Sequence, residues 1–125
     1  MSSLERERWL MGQERWPNLQ LFLSKEIPDV LLRSPKELAG MIRAKLSGHD
    51  AISKAKIARE CWDFLASFKD RHDDFGFLRD GFGVLGKKPS DNRGKGHAAL
   101  ERVKLLYDVL AEEVRAQRPD WTPAG

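Results

Sequence analysis

The stretch "DGFGVLGKKPSDNRGKG", residues 80–96, concentrates residue types that can do chemistry on phosphate. Gly81, Gly83 and Gly86 spell G-x-G-x-x-G, and Gly81 to Lys87 spell most of a phosphate-binding loop. In both motifs glycine lets the backbone N–H groups close on an anion, and the N-terminus of a following helix holds its charge. That chemistry needs a strand before the glycines and a helix after them. Here "RHDDFGFLRD" precedes and "KKPSD" follows, Lys88 stands where a Ser or Thr would hold magnesium, and Pro89 comes next. The context fits a glycine-rich connector between helices, with no nucleotide or other cofactor. Lys87, Lys88, Arg93 and Lys95 on that connector can still grip phosphates without sequence preference, which keeps nucleic-acid contact as the alternative reading. Phe82 is the lone aromatic there, so stacking partners for bases are scarce.

The second concentration is acidic. Between Glu60 and Asp80 stand Glu60, Asp63, Asp70, Asp73, Asp74 and Asp80 against Lys69, Arg71 and Arg79, immediately before the basic loop. Segregation of this kind marks a surface that a charged partner can read. Trp62 lies one step of about 100° from Cys61 on the predicted helix, at the edge of its apolar stripe. A ring between Glu60 and Asp63 has the aromatic-plus-charge character of protein interfaces. Glu60, Trp62, Asp63, Asp70, Asp73 and Asp74 are therefore the candidate partner-binding residues.

Other chemistries find little support. His49, His72 and His97 each fall at an element boundary, and "His72-Asp73-Asp74" cannot close around one ion without further donors. Cys61 sits inside an apolar stripe, as a core thiol does, and one cysteine excludes both an internal disulfide and a cysteine-built zinc site. No serine has a histidine and carboxylate at a recognisable spacing, and Glu112-Glu113 reads as the wet face of a helix. The residues point away from an enzyme.

The elements that position these groups read as helices. The chain has 125 residues, of which 41% are hydrophobic and 33% charged, which suits one small globular domain. Its net charge of +3 is too small to mark a nucleic-acid binder by itself. No apolar run approaches the roughly 20 residues that cross a bilayer, and "MSSLERERWL" lacks the apolar region of a signal peptide, so a cytoplasmic protein with no membrane contact is expected. "LERERWLMGQERW" predicts a first helix that Pro17 interrupts, and "PNLQLFLSKEI" a second piece ending before Pro28. "Ser34-Pro-Lys-Glu37" is a strong start signal, with Ser34 as cap, Pro35 at the first position and Glu37 closing a capping box. Leu38, Met41, Ile42 and Leu46 then share a face until Gly48. Asp50 opens the next helix, whose stripe is Ile57, Cys61, Phe64, Leu65 and Phe68. "FGFLRDGFGVLG" has room for one short helical turn. Ala99, Leu100, Val103, Leu106, Tyr107, Leu110 and Val114 define a last helix closed at Arg118-Pro119. The expectation is an all-α bundle of four or five helices over residues 1–118, with residues 119–125 as a mobile tail unless Trp121 packs back.

The order of these features resembles the small helical immunity proteins of bacterial contact-dependent growth inhibition systems. Trp16, Pro17, Leu19 and Phe22 match that family's aromatic-Pro opening, and Leu85, Gly86 and Pro89 match its late Leu-Gly segment. The chain departs from it where "SKEIPDVLL" replaces an aromatic and acidic segment, and where Lys87 and Lys88 replace aromatic residues. The resemblance spans roughly residues 16–115. It implies a non-enzymatic protein that binds a cognate toxin domain and blocks it. Neither the partner nor the oligomeric state is written in the residues.

Overall fold

The computed structural model describes residues 3–68, 74–84 and 95–123, and of residues 68, 74–77 and 95–100 the backbone alone. Among the described residues the fold is all-α, with six helices: α1 (Ser3–Arg15), α2 (Pro17–Leu21), α3 (Pro35–Leu46), α4 (Ala51–Phe68), α5 (Asp74–Phe82) and α6 (Lys95–Gln117). A π-helical segment, Phe22–Glu26, prolongs α2. The sequence pattern undercounted because the short glycine-containing run before the loop forms a helix of its own.

Start signals act as the sequence dictates. The Ser34 hydroxyl accepts from the Glu37 N–H at 3.3 Å, with Pro35 at the first helical position. The capping box is not closed: the Glu37 carboxylate instead lies 3.6 Å from Arg33. Asp50 accepts from the Ser53 N–H at 2.7 Å and starts α4. In the π-helical segment the Ile27 N–H bonds to the Phe22 carbonyl at 3.2 Å. This wider turn brings residues five apart onto one face, so Phe22, Leu23 and Ile27 all reach the core.

Helices α4 and α6 form the central pair, with α3 against α6, α2 against α4, and α5 against α6. The outermost helix, α1, lies on α5. Ile57, Cys61 and Phe64 of α4 meet Val103, Leu106, Leu110 and Val114 of α6 in the core, while Leu65 and Tyr107 are half-buried at its margin. Trp16, between α1 and α2, is wholly enclosed. Its ring stands edge-on to Phe64, with centroids 5.3 Å apart, and tilted against Phe82 at 5.8 Å. Phe64 and Phe82 complete the trio at 5.0 Å. Such arrangements match positive ring edges to negative faces.

The crossing of α1 over α5 depends on glycine. A Cβ at Gly12 would collide with the Gly81 carbonyl, which already accepts a hydrogen bond from Gln20 Nε2 at 2.8 Å. Gln20, buried itself, also donates to the Trp9 carbonyl at 2.9 Å and so staples α1, α2 and α5 together. Arg8 adds an ion pair to Asp80 at 2.7 Å. Gly83 ends α5 with φ of +64°, a left-handed conformation that glycine adopts without strain, and Val84 N–H reaches back to the Leu78 carbonyl at 3.5 Å.

Beyond Gln117, among the described residues, Trp121 packs back on the body. Trp121 N–H bonds to the Arg118 carbonyl at 3.0 Å, Arg115 stacks 5.7 Å from the Trp121 ring, and the ring packs half-buried against the core. Among the described residues no helix is long and apolar enough to cross a membrane.

Candidate functional site

Two of the glycines that spelled a nucleotide motif, Gly81 and Gly83, have other duties in this fold. A helix rather than a strand leads into them, Gly81 lies inside that helix at its contact with α1, and Gly83 terminates it. Gly86, Lys87, Lys88 and Arg93 lie outside the described residues, and Lys95 is described only as the backbone start of α6.

The acidic candidates divide similarly. Asp70 and Asp73 lie outside the described residues, and Asp74 is described only as the start of α5. Glu60 turns towards α2. Its carboxylate accepts from the Asn18 N–H at 2.8 Å, the Leu19 N–H at 3.1 Å and Asn18 Nδ2 at 2.5 Å. Trp16 occupies the cap position of α2 and supplies no side-chain cap, so a residue 42 positions away satisfies the helix end instead. Asp63, one turn further along α4, accepts from Trp16 Nε1 at 2.8 Å and has Arg15 at 3.7 Å. Half of its side chain is still open to solvent. Arg15 also lies 4.5 Å over the Trp16 ring. The structure thus brings Glu60, Trp62 and Asp63 together while giving both acids an internal partner.

Trp62 points the other way. It remains 38% exposed, in a depression of about 430 Å³ lined by Arg15, Arg59, Glu60, Asp63 and Pro123. Arg59 also borders a second depression of about 510 Å³, where Ile52, Ala55 and Lys56 of α4 face Arg118 and Asp120 across Trp121. Arg59 lines both, and the two adjoining depressions along the outer side of α4 are together called the groove. At about 100° per residue, Ile52, Ala55, Lys56, Arg59 and Trp62 fall opposite Ile57, Cys61 and Phe64. Sequence reasoning named Trp62 and missed Ile52, Lys56, Arg59, Arg118 and the lining role of Trp121. The available signal was an outer α4 stripe with a large apolar residue at each end.

Two titratable groups elsewhere, Cys61 and His49, serve the fold. Burial pushes the Cys61 thiol far above its ordinary range, with Asp108 adding to the effect, so it stays protonated. His49 bridges Glu26 at 2.7 Å and Ser53 at 2.8 Å, tying the π-helical segment to α4. Among the described residues no three His, Cys, Asp or Glu side chains are placed to share a metal ion. No protein-family model, curated protein or solved structure matches this chain.

Proposed function

We propose that this chain is a non-enzymatic protein-binding module acting in the cytoplasm, and that the α4 groove centred on Trp62 is its binding face. The observation that carries this reading is Trp62 itself. A large ring stands 38% exposed in a walled depression, on a helix whose opposite side is closed core. Buried aromatic and arginine anchors dominate binding energy at protein interfaces, and Arg15 and Arg59 flank this ring. The resemblance to immunity proteins makes a bacterial toxin domain the candidate partner, with inhibition by direct cover as the mode of action. Trp16, Leu19 and Phe22, which help carry that resemblance, lie in the core, and Pro17 starts α2, so their contribution is to the scaffold.

The test is co-expression with candidate toxin domains, beginning with the C-terminal domain of any large secreted protein encoded beside this chain, read by growth rescue and by co-elution of purified proteins. Rescue and a stable complex are expected. Trp62→Ser should weaken the complex while leaving the unfolding midpoint nearly unchanged, since an exposed substitution usually shifts stability by less than about 0.5 kcal/mol. Absence of a complex, together with saturable binding of single-stranded oligonucleotide, would replace this reading with the nucleic-acid one.

A further inference from the structure

From the charge pattern of the groove we infer that its occupant is an acidic segment of the partner protein, carrying apolar anchors at both ends. The inference rests on the protein-binding reading above and adds the sign and spacing of what binds. Its first support is the sign of the charges gathered at the larger depression, three cations to one acid. Arg8, Arg33 and Arg43 form ion pairs with Asp80, Asp29 and Glu112. Lys56, Arg59 and Arg118, all lining the groove, have no acid within ion-pair distance among the described residues. Glu60 and Asp63 at the same groove are engaged by Asn18, Leu19 and Trp16 on the side facing α2. The larger depression therefore presents three cations without an ion-pair acid against one acid, Asp120, while Glu60 and Asp63 in the adjoining one already accept hydrogen bonds from Asn18, Leu19 and Trp16. Arginine favours a carboxylate with which it can form two parallel hydrogen bonds.

The second support is spacing. Ile52, 63% exposed, and Trp62 stand ten residues apart on α4, or about 15 Å at about 1.5 Å per residue. An extended partner spans that distance in roughly five residues, and a helical one in roughly three turns. Either can seat an apolar side chain at each end and one or two carboxylates between them, at Lys56, Arg59 and Arg118. A continuous polyphosphate strand fits less well. It would have to run past Glu60, Asp63 and Asp120, which line the same depressions, whereas discrete carboxylates can be placed between them.

Two synthetic peptides test the inference, one with leucines flanking glutamates and one with the same leucines flanking lysines. A single-stranded oligothymidine is the third probe. Binding is followed by fluorescence anisotropy and by amide and indole chemical shifts. The glutamate peptide should bind saturably and shift Ile52, Arg59, Trp62 and Arg118, with at least about tenfold weaker binding to Lys56→Glu/Arg59→Glu. Charge reversal at Lys36, exposed on α3, should leave binding unchanged. No saturable binding of the glutamate peptide, equal binding of the lysine peptide, shifts mapping elsewhere, or oligothymidine binding that the same double variant abolishes would each overturn the inference. The double variant is also carried into the growth-rescue assay. Rescue undiminished there sinks the acidic-segment inference but leaves protein binding standing. No complex with wild-type chain sinks the protein-binding reading itself.

Discussion

Replacing Glu60 isolates the part of α4 that acts at a distance on the fold. Glu60→Ala removes the acceptor for two backbone N–H groups at the start of α2 and for the Asn18 side chain. No local side chain substitutes, because the cap residue is Trp16 and the indole points to Asp63. Loss of an ordinary N-cap costs about 1 kcal/mol, and hydrogen bonds to a charged group contribute about 1.5–3 kcal/mol each. Water can reach this half-buried helix end and recover part of that, so the expected loss is about 2–3 kcal/mol. With a urea slope of about 1–3 kcal/mol per molar, the midpoint should fall by roughly 0.7–3 M at unchanged slope. Glu60→Gln keeps an oxygen but loses the charge and its attraction to the helix dipole, and should cost about 1 kcal/mol. Urea unfolding followed by far-ultraviolet circular dichroism measures both, with Glu14→Ala on exposed α1 as the control. A Glu60→Ala midpoint within 0.3 M of that control, roughly 0.5 kcal/mol at such slopes, would refute the capping argument.

Glycine substitutions should separate by sign. Gly12→Ala drives a methyl into the Gly81 carbonyl and should destabilise by about 1–2 kcal/mol, whereas Gly40→Ala on α3 meets no atom within 4 Å and should stabilise by about 0.5–1 kcal/mol, both read from thermal midpoints. Burial alone would raise the Asp80 carboxyl, but hydrogen bonds and charge from Arg79 and Arg8 outweigh it and hold Asp80 below the ordinary carboxylate range. The stability this gives is present above the unfolded value near about 4 and is lost as pH falls through the lower folded value. Unfolding titrations from pH 6 to pH 2 should therefore show a loss of stability on acidification that is smaller in Asp80→Asn. Cys61, enclosed and protonated, should react with a disulfide reagent at least about a hundredfold more slowly in the native protein than in urea; fast native labelling would contradict its place in the α4–α6 contact.

What the sequence made legible follows from how local each cause is. Ser34, Pro35 and Asp50 act within one helical turn, so α3 and α4 could be placed from their start signals. The apolar stripes of α4 and α6 repeat over several turns, and Ile57, Cys61, Phe64, Val103, Leu106, Leu110 and Val114 could be assigned to the core for that reason. α1 was legible as a helix but not in its packing, because its contact with α5 runs through Gly12 and charged or polar groups rather than an apolar stripe. The roles of Glu60 and Asp63 were hidden because their partners lie 42 and 47 residues away. Two acids beside an edge tryptophan look like a binding patch until the chain folds α2 onto them. Arg118 and Trp121 were missed for the same reason, since only the return of the chain after α6 sets them opposite Lys56 and Arg59.

The four tryptophans occupy different environments, and this makes the protein its own optical instrument. Trp16 is sealed in the aromatic trio with its indole N–H satisfied by Asp63, whereas Trp62 faces water. An enclosed indole emits towards the blue and is shielded from acrylamide, while an exposed one emits towards the red and is quenched. Trp9 and Trp121 are half-buried and contribute between those limits. Light from the two extremes therefore separates two events in one cuvette without any label. Loss of the blue component tracks opening of the core, and protection of the red component tracks occupation of the groove. A Trp62→Phe chain supplies the blank that assigns the red component.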